Sequence, residues 1–206
     1  MQDILGGPVP LAIVAPGAEL ALWRGFLAAD EAAALHAQLL DGIDWRQETV
    51  SVFGKRHLQP RLSAWIGEQA YTYSGLTVAP APWPGVLQSL KARVEAAAGA
   101  RFNSVLLNLY RDGRDAMGAH ADDEPELGRE PVIASLSLGA VRRLRFTPRK
   151  GWAGEPFALP LEPGSLLLMR GQTQRHWLHA VPRQARVTGP RINLTFRCIQ
   201  PRPPAR

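Results

Sequence analysis

The run Arg191-Ile192-Asn193-Leu194-Thr195-Phe196-Arg197-Cys198-Ile199 decides the architecture, because it alternates strictly between two chemistries. Successive side chains of an extended chain point to opposite faces, so Ile192, Leu194, Phe196 and Cys198 share one face and Arg191, Asn193, Thr195 and Arg197 the other. That is the pattern of a β-strand. Toward the N-terminus the same period of two recurs over residues 104–110, 132–138, 143–147 and 165–169, with Gly, Pro and Asp between the runs. Short strands broken in this way predict antiparallel sheets in a sandwich or barrel. Two helical patterns precede them. Asp30 caps an alanine-rich amphipathic segment that carries Leu35 and Leu39 and ends near Gly42. The second opens at Pro84, sets Val86, Leu87, Leu90 and Val94 on one face, and stops at Gly99. The expected fold is mostly β with flanking helices, a double-sheet β roll whose mouth has room for a ligand.

At 206 residues the chain is long enough for one β-rich domain with a buried core, expected over residues 1–200, with a flexible proline-rich tail at 201–206. Apolar residues at 46% and charged residues at 20% match an ordinary globular protein and exclude a disordered one. No apolar run reaches the roughly 18 residues of a membrane span, and the first thirty residues lack a secretory pattern. A cytoplasmic monomer without membrane contact is the expectation. Cys198 is the only cysteine, which excludes an intrachain disulfide and a thiolate metal cluster, so a metal here must use His and carboxylate. The net charge of +6 favours a polyanionic partner.

His120, Ala121 and Asp122 follow a Gly-containing turn, and in extended chain residues two apart reach the same side. A third ligand is available in His179, beyond the strand at 165–169. Two imidazoles and one carboxylate leave three octahedral positions open, which suits iron(II) binding a chelating co-substrate together with dioxygen. Alone, a His-x-Asp pair is weak among five histidines, and the plain alternative is a surface turn beside a half-buried histidine. His176 competes with His179 for the third position. His36 reads as a helix-surface residue, and His57 has no carboxylate in the right relation.

The polar face of residues 191–199 has its own plain reading as a solvated basic stripe. Against it stands the nearness in sequence of His179, and the fitness of two guanidinium groups for bidentate pairing with a dicarboxylate. Asn108 and Tyr110 repeat the spacing on another strand, offering an amide and a phenol to the same acid.

Taken in order, Asn108 and Tyr110, His120 with Asp122 and Glu124, residues 133–139, His176 with His179, and residues 191–197 resemble the AlkB family of alkylation-repair dioxygenases. The resemblance covers roughly residues 50–199. It is nearest to the duplex-repair branch, because Val52, Phe53, Gly54 and Lys55, and the run from Tyr71 through Tyr73 and Ser74, are similar to that branch's substrate-handling elements. It implies a double-stranded β-helix (jelly-roll) core preceded by an N-terminal helical and substrate-recognition segment. It also implies iron(II) on His120, Asp122 and His179, with 2-oxoglutarate as co-substrate and dioxygen as oxidant. Arg191 would pair with the distal carboxylate of the co-acid. Asn108, Tyr110, Asn193 and Thr195 would line its pocket, and Arg197 would sit nearer the iron and the substrate. The implied activity is oxidative demethylation of N-alkylated bases in DNA, with RNA open as a target. Hydroxylation of a protein or small molecule is the alternative. Phe53, Tyr71, Tyr73, Ser74 and Glu124 would handle the base, with Tyr73 and His120 sandwiching it and Phe53 as a wedge. Arg56, Arg61, Arg142, Arg143 and Lys150 are candidate phosphate contacts. Between His179 and Arg191, Arg183 and Arg186 form a sparser basic run than duplex-acting relatives carry, which leaves single strands open.

Overall fold

The computed structural model describes residues 9–52, 55–68, 71–73, 76–78 and 81–200, with residues 51, 52, 55, 71–73 and 76–78 described by backbone alone. The chain begins with the hairpin β1 (Leu11–Ala15) and β2 (Ala18–Trp23), then α1 (Ala29–Gly42). Two short hairpins, β3 (Thr49–Val52) with β4 (Lys55–Leu58) and β6 (Tyr71–Tyr73) with β7 (Leu76–Val78), flank β5 (Leu62–Gly67). After α2 (Gly85–Ala98) come β8 (Ser104–Tyr110), β9 (Met117–His120), β10 (Ile133–Gly139), β11 (Arg142–Pro148), β12 (Phe157–Leu161) and β13 (Leu166–Arg170). A single helical turn α3 (Thr173–His176), β14 (Trp177–Val181) and β15 (Arg191–Arg197) complete the order.

Apart from those two short hairpins, the described strands form two antiparallel sheets. The large one runs β1-β2-β13-β10-β15-β8-β5 and the small one β12-β11-β14-β9. Helices α1 and α2 cover the outer face of the large sheet, where Leu35, Leu39, Leu87, Leu90 and Val94 pack with Leu107, Leu136, Ile192, Leu194 and Phe196. A second core fills the space toward the small sheet, where Leu106, Ile133 and Met169 meet Leu144, Phe146 and Trp177. Both faces of β8 and β15 are therefore buried along their whole length. The polar half of β15 is not a solvated stripe: Arg191 is 1% exposed and Arg197 4%.

The predicted strands fall within a residue or two of those observed. Strand β15 stops at Arg197, which leaves Cys198 exposed instead of on the apolar face. Helix α1 departs from expectation at its start: Ala28 holds the cap position and no side chain caps it. Asp30 lies inside the first turn, where a carboxylate still complements the helix N-terminus. Helix α2 ends as expected on Gly99, in the left-handed region at φ 61°. Gly17 also requires glycine: at φ 67° it closes the first hairpin, and a Cβ there would lie 2.7 Å from the ring of Trp152. Among the described residues no helix is long and apolar enough to cross a membrane.

Candidate metal centre

Strands β9 and β14 pair so that His120 lies directly opposite His179, with ring centroids 4.3 Å apart. Asp122 follows two residues beyond the end of β9, and one ligand atom from each of the three lies within 4.8 Å of the others. Nδ1 of His120 is 2.9 Å from the carbonyl oxygen of Gly118. A carbonyl only accepts, so Nδ1 is the donor in this contact and Nε2 is the nitrogen left for a ligand. Burial, reinforced by His120, holds the His179 pKa down to about 3, so its ring is neutral at physiological pH. For Asp122, burial opposes ionisation, but Arg197 and the two imidazoles outweigh it and keep the pKa below the ordinary carboxylate value. Oδ1 of Asp122 accepts a hydrogen bond from Nη2 of Arg197. Oδ2 is buried, has no hydrogen-bond partner and lies 3.8 Å from Nε2 of His179. A buried anionic oxygen beside two imidazole nitrogens is a donor set that a divalent cation satisfies.

The register of the large sheet sets a polar floor beneath this triad. On neighbouring strands Ser63, Asn108, Asn193 and Ser137 stand in one row, and Trp65, Leu106, Thr195 and Ser135 in the next. Nδ2 of Asn193 donates to Oγ of Ser135 at 2.8 Å, and Oγ1 of Thr195 donates to Oδ1 of Asn193 at 3.0 Å. Oδ1 of Asn108 accepts from Nε of Arg61 at 2.7 Å. Arg191 closes the far end. Its Nη2 donates to Oγ of Ser137 at 2.9 Å, and its guanidinium lies 5.3 Å from the ring centroid of Tyr110. Nε and Nη1 of Arg191 are buried without a hydrogen-bond partner. Burial pulls its pKa down to about 10, with Tyr110 opposing and Arg142 adding to the shift. Asn108, Tyr110, Asn193, Thr195 and Arg197 share one cavity of about 40 Å³ with the three ligand candidates.

Other expected residues fall into place unevenly. Glu124 is half-buried two residues past Asp122, with Oε2 buried and unpartnered. The backbone of Tyr71 and Tyr73 forms β6, while their side chains, and all of Phe53 and Ser74, lie outside the described residues. His176 is not brought to the triad: its ring stacks on Trp152 at 3.4 Å and its Nε2 is 2.8 Å from Oε1 of Gln172. His36 is half-buried, with Nε2 packed close to Gly139, instead of lying on the helix surface. Two proposed phosphate contacts are corrected. Arg61 is buried on Asn108, and Arg142 is buried with its guanidinium donating to the carbonyls of Asp112, Asp115 and Pro182. Arg56, Arg143 and Lys150 are exposed. Missed by sequence reasoning were Gln174, Ser135 and Ser137. The serines sit on β10, whose residues 133–139 carry part of the family resemblance without a role for any one of them, and nothing local marks Gln174.

An antiparallel double-stranded β-helix carrying two imidazoles and one carboxylate over a buried arginine floor defines a non-haem, metal-dependent oxygenase class. Residues 19–197 match the 2OG-Fe(II) oxygenase superfamily, and the chain belongs to it. That membership brings iron(II) and 2-oxoglutarate as the family's metal and co-substrate. Among relatives, human alpha-ketoglutarate-dependent dioxygenase alkB homolog 3 is 45% identical over 190 residues, covering 88% of this chain and 66% of that protein. Human DNA oxidative demethylase ALKBH2 is 44% identical over 158 residues, covering 73% of this chain and 60% of that protein. The chain therefore spans just under two thirds of the length of human alkB homolog 3. The solved structure of OsALKBH1 superposes with a TM-score of 0.62 over 92% of this chain and 99% of that one, at 18% identity, a likeness of fold.

Proposed function

We propose that this chain is an oxidative demethylase of N-alkylated bases in DNA. The observation that carries the reading is the pairing of a His-Asp-His cluster with a buried arginine whose Nε and Nη1 lack an acceptor, at two ends of one polar floor. When bound, iron(II), 2-oxoglutarate and dioxygen supply an oxidation in which the co-acid becomes succinate and carbon dioxide and one oxygen atom enters the methyl C–H bond, after which formaldehyde leaves.

The chain's own residues hold and aim the reactants. His120, Asp122 and His179 would hold the metal from one side and leave the other open. The guanidinium of Arg191 would take the distal carboxylate of the co-acid, with Tyr110, Asn108, Asn193 and Thr195 lining its length. Arg197 keeps Asp122 ionised and oriented. The buried setting excludes water and holds the methyl group against the metal, the protein's share in such chemistry.

The polyanionic partner follows from the net charge of +6 and from the names of the relatives, one a DNA oxidative demethylase. A base in a duplex must leave the stack to reach a buried site. Tyr73 and His120 would hold the flipped base, Glu124 would read its exocyclic group through the unpartnered Oε2, and Phe53 would fill the gap left behind. Tyr71 and Ser74 belong to the same substrate-handling segment. We further propose that it acts as a cytoplasmic monomer.

The test is release of formaldehyde and succinate from one methylated lesion offered in single-stranded DNA, duplex DNA and RNA, with a methylated peptide alongside. Turnover stimulated by oligonucleotide supports the reading. Co-acid turnover stimulated only by the peptide overturns it.

A further inference from the structure

His120 and His179 owe their positions to a strand ladder, but Asp122 does not. It lies beyond the end of β9, where the sheet no longer supplies partners to its backbone. Its residue is 2% exposed, and a buried N–H without an acceptor is costly. The acceptor is a side chain: Oε1 of Gln174 takes the N–H of Asp122 at 3.0 Å from 52 residues along the chain. Gln174 is itself 2% exposed; the Asp122 N–H is a donor and so calls for the oxygen end of the amide, which leaves Nε2 facing the sulfur of Met169 at 3.5 Å. The turn that carries Gln174, α3, runs directly into β14 and hence to His179. It is pinned in turn by Thr173, whose Oγ1 donates to the carbonyl of Arg170 at 2.6 Å and accepts from the N–H of Glu19 at 2.9 Å. One amide thus ties the segment of one ligand candidate to the segment of another.

We infer that Gln174 is a positioning residue whose amide sets the place of the Asp122 carboxylate and, through it, the metal affinity of the site. The inference rests on the reading of His120, Asp122 and His179 as the metal site. Arg197 holds Oδ1 of the carboxylate and Gln174 holds the backbone beneath it, so side chain and main chain are fixed separately. Partners of this kind, which orient a ligand without touching the metal, typically change metal affinity by roughly ten- to a hundredfold when removed.

The experiment measures the dissociation constant of Mn(II) alone with the metal-free full chain, by the electron paramagnetic resonance signal of the free ion, alongside the metal-free Tm. Gln174→Met keeps the volume and removes the acceptor, and is expected to raise the Mn(II) Kd roughly tenfold or more. Gln174→Glu keeps an acceptor and is expected to bind Mn(II) within roughly threefold of the parent. If Gln174→Met does not fold, Gln174→Asn, too short to reach, replaces it with the same expected rise. Parent-like Mn(II) affinity without the acceptor overturns the inference, whatever happens to Tm. Equal losses of affinity and Tm in the Met and Glu variants also overturn it, since they mark general disruption. Asp122→Ala serves as the reference: if it keeps parent Mn(II) affinity, the metal site itself is misplaced, an outcome distinct from failure of Gln174 alone.

Discussion

Replacing Arg191 by methionine should weaken co-acid binding severely and yet leave the ligand-free protein about as stable. The guanidinium is 1% exposed, its pKa is drawn down to about 10 by burial, and Nε and Nη1 have no acceptor. Burying a charge with unsatisfied donors is unfavourable, and exchanging such groups for apolar ones of similar volume is often neutral or stabilising by about 1–4 kcal/mol. Against this stand one hydrogen bond to Ser137, about 1 kcal/mol, and the contact with the face of Tyr110, about 0.5–2 kcal/mol. The opposing terms nearly cancel, so metal-free Tm should stay within a few degrees of the parent. Binding suffers in the opposite direction. Two charge-assisted hydrogen bonds to a carboxylate contribute about 1.5–3 kcal/mol each, so losing both should weaken 2-oxoglutarate binding by roughly a hundredfold or more. Arg191→Lys should fall between, because one ammonium lacks the parallel donors of the fork. Calorimetric titration of 2-oxoglutarate into Mn(II)-loaded protein and a melting curve of the metal-free form decide it. Unchanged co-acid affinity together with a large drop in Tm would show Arg191 to be a structural residue and refute the reasoning.

Two further outcomes test the metal centre. His176→Ala should keep bound metal and His179→Ala should lose it, read as metal content after dialysis; the reverse pattern would reassign the third ligand. The metal-free protein should lose stability as pH falls from 7 to 5. His179 has a folded pKa of about 3 against 6.5 as its reference value, so the unfolded chain binds the extra proton in that window and stability rises with pH across it. The contribution is complete above about pH 6.5 and declines by about 2 kcal/mol on going from pH 7 to pH 5. Asp122, also held below its ordinary value, adds stability that is lost only at pH lower than this window. His179→Gln should flatten the slope in chemical denaturation series, and a slope that survives the substitution would show that another group sets it.

What the sequence determined by itself was whatever depends on neighbours along the chain. Alternation placed β8 and β15, the run of apolar residues at helical spacing placed α2, and Gly99 marked its end, because side-chain direction and backbone sterics are local properties. The ligand candidates were legible for the same reason, two of them being set two residues apart in extended chain. Short strands escaped notice. Strand β9 is only Met117–His120 with Gly118 in it, too brief for a period of two to declare itself, and it exists because β14 pairs with it. The hairpin of β1 and β2 escaped too, although Pro16 and Gly17 between them are a local turn signal that was open to reading. The tertiary structure alone decided which polar residues are buried. An alternating strand has two faces and does not say which meets solvent; here helices cover one and the second sheet covers the other, which encloses Arg191 and Arg197. Arg61 and Arg142 were misread as surface cations because the length of an arginine conceals where its head lies until the groups that accept its protons are placed. Gln174 was invisible for a related reason: its role consists of one hydrogen bond across 52 residues, and such a contact exists only once strand pairing has brought the two segments together.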